Sequence, residues 1–281
     1  MNAAQPPGGG QSGSSQREGG AGSDGQVRLT VQGQVATLTF DRPAARNAMT
    51  WAMYEQLGQH CRALAGADGA GIRVVVMRGA GGEAFVAGTD IAQFRAFQSG
   101  DDGIRYEEQI DAGIGLVEKL PMPTVAVVDG WCVGGGLAIA TACDFRLATP
   151  NARFGVPIAR TLGNTLSALN LAKLRAAWGL QPVRRMLLLA QVLGAEAALA
   201  CGFLEGIHSA DEIDAEVAAL CERLAKLAPV TQQVVKEALR RQTVAAVADT
   251  DDLVRRCYGS NDFKEGVEAF VDKRSPEWSG K

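Results

Sequence analysis

Thr124-Val-Ala-Val-Val-Asp129-Gly130-Trp131-Cys-Val-Gly134-Gly135-Gly136-Leu-Ala-Ile-Ala-Thr-Ala-Cys143-Asp144 is the stretch on which the reading of this chain turns. Its first five residues form a short apolar run bounded by a turn signal, the pattern of a buried strand. After the three glycines no charge appears before Asp144, which suggests a short helix sunk in the core. Two readings of the glycines stand side by side. A backbone without Cβ lets an N–H come close to a bound ligand, and a helix start adds unpaired N–H groups and partial positive charge, a good place for an oxygen that gains negative charge. On the other reading the glycines serve only to let strand and helix pack tightly.

Working outward, a second stretch repeats the arrangement. The apolar strand candidate at 72–77 leads into Gly79-Ala-Gly-Gly-Glu-Ala84-Phe85-Val86-Ala87-Gly88-Thr89-Asp90-Ile91. Two strands therefore each feed a glycine-bearing turn. The pair Ala-Phe-Val-Ala-Gly-Thr-Asp-Ile and Gly-Gly-Gly-x-x-x-Ala-x-x-Cys-Asp resembles the enoyl-CoA hydratase/isomerase, or crotonase, family. Asp41-Arg-Pro-x-x-Arg-Asn47-Ala48-Met49 upstream and Phe263-Lys-Glu-Gly-Val-Glu-Ala-Phe270-Val-Asp-Lys-Arg274-Ser-Pro276 at the end extend the likeness, in family order, over about residues 27 to 281. Each motif is weak alone; four in order are specific.

Composition sets the bounds. The 281 residues allow one large domain or two small ones. A net charge of −3 argues against nucleic acid or an anionic membrane as the main partner. No apolar run reaches membrane-spanning length. The six cysteines are scattered without a C-x-x-C pair, and only His60 and His208 accompany them, so no metal site is expected. Reduced, buried thiols in a cytoplasmic protein are the simplest account. Residues 1–26 are Gly-, Ser-, Gln- and Pro-rich and read as a disordered tail rather than a secretory signal.

The remainder reads as an α/β core followed by helices. Strands are expected at 27–31 and 35–40 as a hairpin, then at 72–77, 124–128 and 144–148. Thr50 is placed to cap a helix running to 64. The polar stretch 98–103 is expected to be a mobile loop beside the site, followed by a helix over 104–119. From 162 onward helices are expected at 165–178, 182–191, 195–202, 211–227, 229–246 and 262–273. The resemblance implies a crotonase-like spiral of ββα units over 27–205. It also implies a helical C-terminal region, 206–281, that makes a homotrimer or a dimer of trimers.

An acyl thioester is easier to attack, or to deprotonate beside its carbonyl, when two fixed N–H donors hold the carbonyl oxygen. By resemblance those donors are the N–H groups of Ala87 and Gly135. Ala87, Gly88, Thr89, Asp90, Gly134 and Gly135 line the channel for an acyl-CoA substrate, and no cofactor is needed beyond the CoA that the substrate carries. Asp90 reads as a structural acceptor for loop amides, and Cys132 as a packing residue. The family's hydratases carry two glutamates; their positions here hold Ala138 and Ile158. The resemblance therefore extends to the thioester site and not to hydratase chemistry.

Other groups are weaker candidates. Arg160, Thr161, Asn164 and Thr165 fall where the site wall is expected. Arg160 reads as a solvated arginine or as a carboxylate clamp. Glu107 and Glu108 read first as the acidic opening of a helix, and second as a source of an acid for the site. His60 and His208 have no motif around them. Lys273 and Arg274 read as a solvated helix end or as a contact for a CoA phosphate. The expected function is an acyl-CoA enzyme that stabilises a thioester enolate, of isomerase, dehydratase or variant hydratase/lyase type. The alternative is an acyl-CoA-binding homologue that has lost catalysis. A dinucleotide-binding oxidoreductase ranks last, because Gly79-Ala-Gly-Gly lacks the G-x-G-x-x-G pattern.

Overall fold

A computed structural model describes residues 24–281. The expected tail therefore lies almost wholly outside the described residues, and the chain is already in a strand at Gln26. Strands β1 (Gln26–Gln32) and β2 (Val35–Asp41) pair as the antiparallel hairpin that the sequence predicts, with Gly33 at φ +59° in its turn. Thr50 caps α1 (Trp51–Ala65) through a 3.2 Å bond from the Met53 N–H.

After α1 the chain alternates between two sheets. It runs through β3 (Val74–Gly79) and β4 (Ala84–Ala87), then α2 (Gly100–Glu118). Next come β5 (Thr124–Val128) and β6 (Trp131–Val133), then α3 (Gly135–Ala142), then β7 (Phe145–Ala148) and β8 (Arg153–Gly155). The first strand of each pair joins a six-stranded sheet of order β1-β2-β3-β5-β7-β10, and the second joins a four-stranded sheet of order β4-β6-β8-β9. This is the spiral of ββα turns that the resemblance implies. The short α4 (Ile158–Thr161), α5 (Ala168–Trp178), α6 (Leu180–Leu188), β9 (Leu193–Gly194), α7 (Ala195–Ala200) and β10 (Gly206–Ile207) close the two sheets. Four helices end the chain: α8 (Ile213–Ala225), α9 (Pro229–Ala245), α10 (Asp251–Tyr258) and α11 (Asn261–Val271).

The parallel strands are apolar on both faces because both faces are covered. Val75, Met77, Ala126 and Val128 point into the main core, beside α1, α2 and α3. Val74, Val76, Val125 and Val127 point the other way, onto Ile213, Leu220 and Leu224 of α8.

Two expectations are corrected. The stretch 98–103 is not a loop throughout, since α2 starts at Gly100. Asp102 accepts from the N–H groups of Gln98 at 2.9 Å and Ser99 at 2.8 Å, which satisfies the first turn and draws the helix forward. Helix α10 was absent from the sequence reading. Its eight residues carry four charges, and only Val254 and Tyr258 are buried, too few apolar positions for a periodic signal.

Candidate active site

The turn after β4 is built by the loop after β2. Asn47 is fully buried, and its side chain is used up there. Its Oδ1 accepts from the Arg42 N–H at 2.9 Å, and its Nδ2 donates to the Ala80 and Ala84 carbonyls at 2.9 and 2.8 Å. The same loop then stitches the turn residue by residue. The Ala87 N–H donates to the Arg46 carbonyl at 3.0 Å, the Met49 N–H to Gly88 O at 2.9 Å, and the Asp90 N–H to Met49 O at 2.8 Å. Extended backbone alternates its polar groups from side to side. With Gly88 O and Asp90 N turned toward Met49, the Thr89 N–H faces the opposite way and donates to no protein acceptor among the described residues.

This overturns one expectation. Ala87 lies beside the cavity, but its N–H is committed to Arg46, so it is not a free donor. The unpaired N–H is two residues on. The Asp90 carboxylate pairs with the Arg42 guanidinium at 3.1 Å.

Each glycine of the triad has its own reason to be there. Gly134 caps α3 at φ +53° and ψ −123°, where a side chain is strained. A Cβ on Gly136 would stand 2.0 Å from the Val86 carbonyl, so this glycine lets α3 press on β4. A Cβ on Gly135 would stand 2.5 Å from Tyr54 Oη and 2.9 Å from Thr89 Oγ1. Gly135 is the first residue of α3, and its N–H has no partner within the helix. The tight-packing reading of the triad therefore holds at Gly136.

Thr89 and Gly135 open onto one cavity of about 170 Å³, together with Ala87, Gly88 and Gly134. Its walls are largely apolar: Ile91 and Phe94, Ile110 of α2, Ala138 of α3, Ile158 and Leu162, and Phe270 of α11. Ala138 and Ile158 thus both face the cavity, with no carboxylate at either position. Thr89 Oγ1 is held by Tyr54 Oη at 2.8 Å and by Tyr106 Oη at 3.5 Å. Burial pushes the Tyr54 hydroxyl up to about 12 and that of Tyr106 well above its ordinary range, so both stay protonated.

Glu107 is the one carboxyl side chain on this cavity among the described residues. The sequence reading set it at a helix opening, which the structure corrects. It lies two turns inside α2, only 4% exposed, beyond the reach of the helix-terminus field. Glu108 beside it is exposed. The Tyr258 hydroxyl donates to Glu107 Oε1 at 2.6 Å, and the Ser167 N–H donates to Oε2 at 2.9 Å. Burial pushes the carboxyl up to about 7, Asp111 adds to the rise, and the two donors oppose it.

The remaining candidates fall as follows. Thr161 and Asn164 line the cavity, whereas Arg160 is exposed and Thr165 is not part of the wall. His60 joins α1 to β1 through Val27 O at 2.9 Å. Cys132 is fully buried, and burial pushes its thiol well up, as suits a packing residue. Arg274 pairs with Glu265 through both guanidinium nitrogens, at 2.5 and 2.9 Å. Tyr258 is the residue that sequence reasoning missed altogether, because nothing near position 258 signals a partner 151 residues away.

With this geometry in view, the comparisons are direct. Residues 30–281 match the family described as enoyl-CoA hydratase/isomerase. The chain belongs to that family. Among characterised relatives of this family member, a short-chain-enoyl-CoA hydratase of Clostridium acetobutylicum is 28% identical over 89% of this chain and 96% of its own. A methylmalonyl-CoA decarboxylase of Escherichia coli is 26% identical over 90% and 98%. Among solved structures, methylmalonyl-CoA decarboxylase in complex with 2-nitronate-propionyl-CoA superposes with a TM-score of 0.82 at 25% identity, covering 91% of this chain and 98% of that one. A hydratase and a decarboxylase, both named for CoA esters, are thus among the relatives, so membership of the family leaves the reaction open.

Proposed function

We propose that this protein is an acyl-CoA enzyme that holds a thioester carbonyl oxygen between the backbone N–H groups of Thr89 and Gly135 while negative charge gathers on it. The observation that carries this reading is that both N–H groups lack a protein acceptor among the described residues and belong to residues that border the same apolar cavity. Amides already fixed by the fold need no reorganisation when charge develops, and one such donor is worth about 2.7–4 kcal/mol of barrier. The largely apolar lining of the cavity strengthens the effect. The product of such stabilisation is a thioester enolate, the intermediate for isomerase, dehydratase and variant hydratase/lyase chemistry alike. CoA arrives as part of the substrate, and no separate cofactor is invoked.

The apolar side chains of Ala138 and Ile158 favour a second reading, an acyl-CoA-binding homologue without turnover. The two readings separate in one assay series. A panel of CoA esters is tested for binding by calorimetry and for turnover by mass spectrometry. Infrared difference spectra with a ¹³C-labelled thioester carbonyl then report the oxyanion site. Enolate-stabilising donors lower the carbonyl frequency on binding, and Gly135→Pro, which removes one of the two N–H groups, reduces that shift in a folded variant. Binding with no frequency shift and no turnover of any ester supports the second reading. Assembly as a homotrimer, or as a dimer of trimers, belongs to the same proposal. Its support is the set of exposed apolar side chains on α9, Val230, Val234, Val235 and Leu239, and light scattering reads the mass directly.

A further inference from the structure

We infer that Glu107 is the group that removes and returns the substrate proton in this cavity, with Tyr258 and Asn164 holding it in position. The inference rests on the thioester reading above and adds the acid–base residue that reading lacks.

Three observations carry it. The first is location: Glu107 is the one carboxyl among the described residues that borders the cavity shared by the Thr89 and Gly135 amides. The second is hydrogen bonding. Asn164 Nδ2 donates to Tyr258 Oη at 3.1 Å, so the tyrosine proton is directed onto Glu107 Oε1. An ionised carboxyl has about four acceptor positions. Tyr258 and Ser167 occupy two, which leaves acceptor capacity on both oxygens. Asn164 also borders the cavity, and its Oδ1 is buried without a partner among the described residues.

The third observation is access. Glu107 also borders a second, wider crevice of about 340 Å³, lined by Glu108, Asp111, Ser167, Asp249 and Asp251. It therefore stands in the wall between the apolar cavity and an acidic, solvent-facing cleft, through which its proton can exchange with water. A tether from α2 to α10 alone would not call for an ionisable side chain, because burying a carboxyl is unfavourable and a neutral amide ties helices equally well.

The step balances without a co-reactant. The Glu107 carboxylate takes a proton from the carbon next to the thioester carbonyl. The C–H pair becomes a C=C bond, and the carbonyl π pair moves onto the oxygen held by the two amides. Return of the proton to the same carbon gives exchange. Return to the γ-carbon of a β,γ-unsaturated ester moves the double bond into conjugation.

Deuterium wash-in tests this. Butyryl-CoA is incubated with the protein in D2O, α-deuteration is followed by NMR, and ester binding is measured by calorimetry in parallel. The wild type is expected to exchange the α-protons. Glu107→Gln should bind the ester within a few-fold and exchange about 10²–10⁴-fold more slowly. Tyr258→Phe should slow exchange less than Glu107→Gln does and move its rising limb to higher pH, because a donor that positions and stabilises the ionised carboxylate is lost. Wild-type exchange should climb on one ionisation near 7. The charged groups facing that ionisation are Asp111 and Glu108 of α2 and Asp249 and Asp251 at the start of α10, while Lys173 of α5 is paired with Glu118 at 3.0 Å. Unchanged exchange in Glu107→Gln overturns the inference and leaves the thioester site standing, as does a wild type that binds the ester without exchanging it. If Glu107→Gln does not fold, a Tyr258→Phe profile identical to wild type overturns it instead. A wild type that binds no CoA ester removes both readings.

Discussion

The Tyr258 hydroxyl donates to Glu107 Oε1 across 2.6 Å and so joins two helices that are 151 residues apart in sequence. Helix α10 is brought down at Gly103, where a Cβ would meet the Tyr258 ring at 2.2–2.5 Å. The glycine in α2 makes room for the aromatic ring, and the ring delivers the hydroxyl. Phe97, Tyr106 and Phe263 pack around Tyr258 with ring centroids 4.8–6.3 Å apart, which holds it in place.

The ionisation of Glu107 should be visible in the stability of the fold. Its carboxyl is pushed from 4.5 up to about 7 by burial. A raised carboxyl means that the folded state holds the proton more tightly than the unfolded chain. That contribution is fully present below about 4.5 and is lost as pH rises through about 7. Its size is on the order of 3 kcal/mol. Glu107→Gln should therefore gain stability relative to wild type between pH 5 and pH 8, read from urea midpoints. A stability difference that does not change with pH would show that the carboxyl is not raised.

Gly103→Ala should push Tyr258 off Glu107. Overpacking of this kind typically destabilises by about 1–3 kcal/mol. Chemical denaturation measures the loss, and tyrosine fluorescence or NMR reports the displaced ring. A variant as stable as wild type, with the ring unmoved, would refute the packing account.

Gly135→Pro should lower any thioester turnover by about 10²–10³-fold, the effect of one lost oxyanion donor. Proline is tolerated at the first residue of a helix. Its ring carbons still meet Tyr54 Oη and Thr89 Oγ1, so circular dichroism must first show a folded protein. A folded variant with wild-type rates would show that this amide plays no part.

Crotonyl-CoA hydration should be negligible. The cavity offers apolar Ala138 and Ile158 where water would have to be oriented, and a single carboxyl, Glu107, from another wall. Loss of absorbance of the conjugated thioester on mixing gives the answer within minutes. Brisk hydration would mean that Glu107 alone handles both water and proton.

Lys236→Ala should loosen α9 from the sheet. Lys236 Nζ lies 2.6 Å from Asp144 Oδ2 and 3.2 Å from the Met122 carbonyl, and Asp144 also accepts from Thr124 N and Oγ1, both at 2.8 Å. Removing the charge is expected to destabilise by about 1–3 kcal/mol. Asp144→Asn should be partly tolerated, since its oxygen can keep the Thr124 bonds. Thermal melts of the two variants test the ranking.

Much of the site was legible from local pattern. The runs before Gly79 and Gly134 have the composition of buried strands, and a glycine-bearing turn after each is a signal read from a dozen residues. The position of the free amide was not. Whether Ala87 or Thr89 keeps an open N–H depends on which carbonyls of residues 46–49 lie alongside, and these are 40 residues away in the chain. The role of Glu107 was hidden for the same reason. Acid residues near a helix start are common for dipole reasons, and only the direction of the side chain distinguishes this one.

By itself the sequence determined the alternation of strands and helices, the two glycine turns, the Thr50 cap and the family. These follow from short-range sterics, hydrophobic period and motif order, all of which neighbouring residues carry. Only the tertiary structure decided which amides stay unpaired, that Ala138 and Ile158 face the same cavity as Glu107, and that Tyr258 closes on it. Those are properties of surfaces brought together from far along the chain, where hydrogen-bond partners and burial are set by packing.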